Sequence, residues 1–303
     1  METLPDEIIL EIISYCRPRD RLVLQQCNRT ILELVLCFQE NFTFIDLRTD
    51  YLEDFNHPVE VNCAVLGRFL RQQFPNLTGL SLSGCRIYLT WSDLADLAQN
   101  LTALQSLDLS QKDNFPKLAY NALLALPAFE KLQSVSLDGI CSRSIHKCYS
   151  LFVPRLHLIP ELKQISFDGS DLAFRLLRHI RKENGCFNQL VSFKFGLHRG
   201  NSLSCQDFQT LLWFLDTHPS LKCLQLSNFL LSSANQAWAL ADRLLLLPNL
   251  QKLTLTDCMC LDNDFLFPPI SSEFSPFQHN IADIQVVRSN LLPEVLVEEI
   301  VKQ

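Results

Sequence analysis

One apolar spacing recurs along the chain: a large apolar residue, followed by apolar residues three and five positions later. It occurs as Leu77-Leu80-Leu82, Leu104-Leu107-Leu109, Leu132-Val135-Leu137, Leu162-Ile165-Phe167, Leu190-Phe193-Phe195, Leu221-Leu224-Leu226 and Leu250-Leu253-Leu255, with weaker copies at Phe42-Ile45-Leu47 and Ile281-Ile284-Val286. First positions fall at 42, 77, 104, 132, 162, 190, 221, 250 and 281, so after an opening gap of 35 the period stays between 27 and 31 residues. The last two apolar positions of each copy flank one residue, polar in most copies. This alternation predicts a short strand with one buried face. A unit this small cannot bury that face without neighbours, so the spacing predicts a stack of about nine strand-and-return units over residues 41–290.

The segments between strands read as helices. Ser92 caps one, Ser233 and Gln236 stand at capping-box spacing before another, and Asp171 opens a run that stops at Gly185. Pro75, Pro127, Pro160, Pro219 and Pro248 recur just before the next strand, where proline ends a helix and sets an extended entry. Residues 141–160 are an irregular insertion whose His146 and Cys148 read as surface residues. Residues 257–280, with Pro268, Pro269, Pro276 and four phenylalanines, read as a degenerate last unit covering the core or as an aromatic loop over the concave face. Residues 291–303 predict a C-terminal capping helix from about Pro293 to Val301, with Val295, Leu296, Ile300 and Val301 inward.

Residues 4–38 lack the strand spacing and predict three short helices. Pro5 opens the first, with Asp6 and Glu7 in its first turn and Ile8, Ile9, Ile12 and Ile13 on an apolar face. Pro18 breaks it, Asp20 starts the second through Leu22 and Leu24, and the third runs from about Asn28 or Arg29 through Ile31, Leu34 and Val35. Such a unit is too small to be very stable alone.

Composition narrows the function. The net charge of -7 argues against a protein whose main work is holding a nucleic-acid backbone. Only 8 glycines occur, with neither a dinucleotide-binding glycine motif nor a P-loop. The opening METLPDEIIL has no basic stretch of a secretory signal, and the charge-free run 223–241 is too polar to span a bilayer, so the expectation is a cytoplasmic or nuclear protein without a membrane segment. Twelve cysteines include no C-x-x-C pair; they read as reduced and mostly buried, with Cys85 and Cys258 at equivalent places three residues after the last leucine of a strand. The four N-x-[ST] sequons, at Asn28, Asn41, Asn76 and Asn100, then read as chance matches. No metal site, cofactor or catalytic constellation is expected, hence a protein that is not an enzyme.

The residues Leu4, Pro5, Glu7, Ile8, Ile9, Ile12, Tyr15, Asp20, Leu22, Leu24, Asn28 and Arg29 resemble the F-box pattern, with Cys16 and Cys27 in place of its usual leucine and valine. The repeating unit resembles a leucine-rich repeat of long period. Together they resemble the F-box and leucine-rich-repeat proteins, substrate receptors of Skp, cullin, F-box ubiquitin ligases. That resemblance implies an α/β fold, a leucine-rich-repeat solenoid with a curved parallel sheet and convex helices, preceded over residues 1–40 by a three-helix F-box. It implies a Skp-family adaptor and a cullin scaffold as partners, with Leu4, Pro5, Ile8, Ile9, Ile12, Leu22 and Leu24 on the adaptor surface, and an unidentified protein substrate on the repeats. The rival reading is a repeat scaffold or inhibitor with no ligase role, in which residues 4–38 only cap the stack. On the concave face, outward positions include Asp108, Ser110, Ser136, Asp138, Ser166, Asp168, Lys194, Gln225, Ser227, Thr254 and Thr256. Asp138 and Asp168 share a column, with Asp108 one column across, beside Lys194 and a rim of His198 and Arg199; this predicts a negative patch that accepts a basic stretch of the substrate.

Overall fold

The computed structural model describes residues 5–16, 18–26, 29–48, 63–85, 88–110, 117–118, 121–140, 155–169, 172–197, 203–260 and 283–287. The chain divides into two compact units, Met1–Leu132 and Gln133–Gln303. Both are mixed α/β, built from parallel strands and helices. The predicted helix 293–301, the rim residues His198 and Arg199, the pair His146 and Cys148, and nearly all of the loop 257–280 lie outside the described residues.

The first unit opens with α1 (Asp6–Tyr15), α2 (Pro18–Leu24) and α3 (Arg29–Gln39). α2 begins at Pro18 itself and not at Asp20, because a proline in the first turn gives up only an N–H that has no helical partner there. Then follow β1 (Phe44–Asp46), α4 (Cys63–Gln73), β2 (Gly79–Ser81), β3 (Tyr88–Leu89), α5 (Trp91–Asn100), β4 (Ser106–Asp108), β5 (Lys117–Leu118) and a 3-10 helix, Ala122–Ala128. β1, β2 and β4 are parallel, with Ile45 beside Leu80 and Leu80 beside Leu107; β3 pairs with β5. The row Ile45, Leu80 and Leu107 is buried, as the spacing required.

The three N-terminal helices are stitched to one another and to the first strand unit by one buried cation. Arg21, 6% exposed, donates from Nε to the carbonyl of Ile13 (3.0 Å) and lays its guanidinium 4.5 Å from the Phe38 ring centre and 5.0 Å from that of Phe42. Phe42 in turn meets Phe74, after α4, edge-on at 6.2 Å. The Gln25 amide donates to Gln39 Oε1 (3.0 Å) and to Gln73 Oε1 (2.8 Å), tying α2 and α3 to α4. A three-helix segment with too little core of its own thereby shares one with its neighbour.

The second unit runs β6 (Ser134–Ser136), a 3-10 turn (Leu156–Leu158), β7 (Gln164–Phe167), α6 (Leu172–Lys182), β8 (Ser192–Gly196), α7 (Cys205–Thr217), β9 (Cys223–Ser227), β10 (Leu230–Leu231), α8 (Ala234–Leu245), β11 (Lys252–Thr256), β12 (Met259–Cys260) and β13 (Asp283–Val287). Its main sheet is parallel in the order β6-β7-β8-β9-β11-β13; β10 and β12 form a second small pair. One register row is Val135, Ile165, Phe193, Leu224, Leu253 and Ile284. α6 packs on α7 and α7 on α8. His218 is buried among them: its Nε2 accepts from the Phe187 N–H (3.0 Å), so Nδ1 carries the proton and donates to the Phe214 carbonyl (2.7 Å).

Two regularities account for the even spacing. The carbonyls of Thr43, Thr78, Gln133, Lys163, Val191 and Lys222 each accept from two successive N–H groups of the next strand's entry. Two residues past the last strand apolar position, the chain turns through a positive φ at Gly84, Gly139, Gly169, Asn228 and Asp257, residue types that tolerate the left-handed region.

Some local expectations are corrected. α5 is capped by Thr90, not Ser92: Thr90 accepts from the Asp93 N–H (3.3 Å) while the Asp93 carboxylate accepts from the Thr90 N–H (2.8 Å). The returns at 122–128 and 156–158 are 3-10, and Pro127 lies inside the first instead of after it. Cys16, Cys37, Cys63, Cys85, Cys186, Cys205, Cys223 and Cys258 are free thiols, but of these only Cys63, Cys85 and Cys258 are buried; Cys37, Cys186 and Cys205 are exposed. Burial pushes the thiols of Cys85 and Cys258 up to about 12 and about 11, which leaves them protonated and inert.

Candidate functional site

Two surfaces stand out. The first is on the N-terminal helices. α1 turns Ile13 inward, at 1% exposure, while Ile8 (42%), Ile12 (48%) and Tyr15 (83%) stay exposed at i, i+4 and i+7, one stripe along the helix. Pro5 is exposed and Ile9 half-buried, while Leu4 lies outside the described residues. On α2 the exposed apolar residue is Val23, at 62%; Leu22 and Leu24, named from the sequence, are half-buried beside it. A helix that leaves its large apolar side chains in water while burying an adjacent isoleucine presents a surface for a partner.

The second surface is the solvent face of the second unit's sheet, which forms a groove of about 350 Å³ over β6, β7, β8, β9 and β11. Its side chains come from two register columns, Ser136-Ser166-Lys194-Gln225-Thr254 and Ser134-Gln164-Ser192-Cys223-Lys252. Lys252 pairs with Asp283 at 2.8 Å.

Next to the groove the expected negative patch is offset in part from within. Lys194 Nζ lies 3.0 Å from Asp138 and 3.1 Å from Asp168. Burial pulls the Lys194 ammonium down, but the Asp138 and Asp168 carboxylates outweigh it and hold its pKa above the ordinary value. Asp138 also accepts from the Ser166 hydroxyl and from the Asp168 N–H (2.7 Å). Asp168 fits because residue 196 is glycine: a Cβ there would collide with its Oδ1. The two carboxylates therefore knit strands together, and a basic ligand would have to displace Lys194. Asp108, in the first unit, likewise accepts from the Ser110 N–H (2.9 Å). Ser110 and Ser227, expected outward, are buried at 2% and 3%, since the chain turns away after each strand.

Residues 1–41 match the F-box domain. They form an F-box. F-box domains bind Skp-family adaptors in cullin ligases, so the exposed stripe of α1 lies in an adaptor-binding domain. No curated protein matches the chain. Reading the sequence missed Val23 of the F-box, hidden between two leucines that fit the pattern better, and missed Cys223 and Lys252 in the groove. The signal for the latter pair was available: both stand one position before the central apolar residue of their strands, the place of Ser134 and Ser192.

Among the described residues no group of three or more His, Cys, Asp or Glu side chains is placed to hold a metal ion, and no helix is long and apolar enough to cross a membrane.

Proposed function

We propose that the protein is the substrate receptor of a Skp, cullin, F-box ubiquitin ligase. The F-box docks the adaptor, and the strand-and-helix units are leucine-rich repeats forming one solenoid that holds a protein substrate for ubiquitination. The chain itself performs no chemistry; it acts in the cytoplasm or nucleus. The observation that carries this reading is the exposed stripe Ile8, Ile12 and Tyr15 within a matched F-box. Recurrence of strand, left-handed turn and helical return supports the repeat assignment, and Lys194, with Asp138 and Asp168 beside it, belongs to the receptor face.

The test is capture of a purified Skp-family adaptor by the full chain. Half-exposed isoleucines contribute about 1 kcal/mol each when buried, so replacing Ile8 and Ile12 together by alanine should weaken capture about 30-fold. Leu4→Ala with Pro5→Ala should likewise reduce it, with the repeats still folded. Normal capture by both variants would return the N-terminal helices to a capping role in a scaffold protein.

A further inference from the structure

The groove's chemistry names a class of substrate segment, an inference that rests on the receptor reading above. Among the residues that line it, the only charged side chains are Lys194 and Lys252; five hydroxyls, two amides and the Cys223 thiol complete its polar surface, and no carboxylate lines it. Lys194 is committed to Asp138 and Asp168. Lys252 is not held so firmly. Its pair with Asp283 leaves the two side chains 46% and 43% exposed, and an ion pair in that setting exchanges readily with an incoming carboxylate.

Further cations stand at the same end of the strands. Lys222 is exposed and immediately precedes β9, whose first residue Cys223 is the register partner of Lys252. Neighbouring strands lie about 4.8 Å apart, which places the Lys222 and Lys252 backbones about 6 Å from each other, so the exposed Lys222 stands at the rim of the groove whose wall Lys252 forms. Lys163, just before β7, meets the Gln133 amide oxygen at 3.2 Å, a neutral partner. Among the carboxylates described at this end of the strands, Glu161 accepts from the Gln133 amide and Asp283 faces Lys252. The strand entries thus offer positive charge to the groove, while Asp138 and Asp168 sit beyond its other end, both paired with Lys194.

We propose that this groove binds an extended acidic segment of a partner protein, with its carboxylates against Lys222 and Lys252 and its backbone over the hydroxyls and amides of β6 to β9. Unlike-charge contacts at an open rim act mainly on association and on partner choice. The binding should therefore weaken with salt.

The experiment uses the full chain and two fluorescent nine-residue probe peptides, one rich in glutamate and one rich in lysine, read by anisotropy at low and high salt. The glutamate probe should bind about tenfold more tightly than the lysine probe. Lys222→Glu with Lys252→Glu should abolish that preference, and the milder Lys222→Gln with Lys252→Gln should reduce it, whereas Lys182→Glu, on α6, should not change it. Equal binding of the probes, tighter binding of the lysine probe, or a preference untouched by the double reversal overturns the proposal. Adaptor capture is measured on the same samples. Capture without an acidic preference sinks this inference alone, while failure of the unaltered chain to capture adaptor sinks the receptor reading.

Discussion

Arg21→Ala removes a cation buried among the F-box helices, and its cost can be assembled from the contacts of that side chain. The bond from Nε to the Ile13 carbonyl is charge-assisted, but that oxygen also accepts from the Cys16 N–H at 3.1 Å, so it is not orphaned and the loss is about 1 kcal/mol. The bond to the Ser14 carbonyl, at 3.4 Å, adds little. The guanidinium over Phe38 and Phe42 is desolvated, which makes the better of the two ring contacts worth about 1 to 2 kcal/mol. With the lost packing of its stem, the total is about 2 to 4 kcal/mol, a large share of a typical domain's stability. Arg21→Lys keeps the charge but cannot both stack on the rings and donate along the same plane, and should lose about half as much. Denaturant unfolding of the full chain gives the energy, and amide exchange locates it: protection should fall in α1 and α3 before it falls in α7 or α8. A change below about 0.5 kcal/mol for Arg21→Ala, with α1 as protected as before, would refute the claim that this residue clamps the F-box.

Three further outcomes follow from the second unit. Leu224→Ala, at a site 1% exposed, should cost about 2 to 5 kcal/mol in denaturant unfolding, with exchange protection lost first in β8, β9 and β11. Gly196→Ala should drive the Asp168 carboxylate off Lys194 and destabilise by about 1 to 3 kcal/mol, and adding Asp168→Ala should recover part of that loss; strict additivity of the two would show that they do not touch. Burial lowers the pKa of His218 from the ordinary 6.5. Its contribution to stability is therefore whole above that value and is lost as the pH falls through the depressed folded one, so melting should decline in mild acid, and His218→Gln should flatten the decline.

The strands were legible because a buried face imposes its own period. Each of the nine apolar phrases carries a strand that begins two residues after its first position, from Phe44 to Asp283. The helical returns were less so. At 122–128 the run ALLALPA reads as a helix, yet Pro127 lacks the N–H for an α-helical bond and crowds the carbonyl four residues back, which favours the tighter 3-10 form. Around 156–158 the prolines at 154 and 160 leave too few residues for a regular α-helix. Thr90 was overlooked as a cap because Ser92 also precedes an apolar residue; only the reciprocal bonds with Asp93 distinguish them. The apolar face of α1 was legible from helical spacing, but which of its isoleucines turn inward was not, and neither was the groove. Column neighbours could be predicted from the period, but which carboxylate already had a lysine depends on rotamers and on the space left by Gly196, and neither is written in the spacing.

The decisive measurement is the affinity of the chain for a purified Skp-family adaptor, determined alongside the Ile8→Glu, Ile12→Glu variant. A substrate receptor gives a stable complex with the unaltered chain and its loss in the variant, with little change in the melting of the rest of the chain because both side chains are half-exposed when unbound. An unaltered chain that fails to bind the adaptor, or a variant that binds it equally well, would contradict the receptor reading.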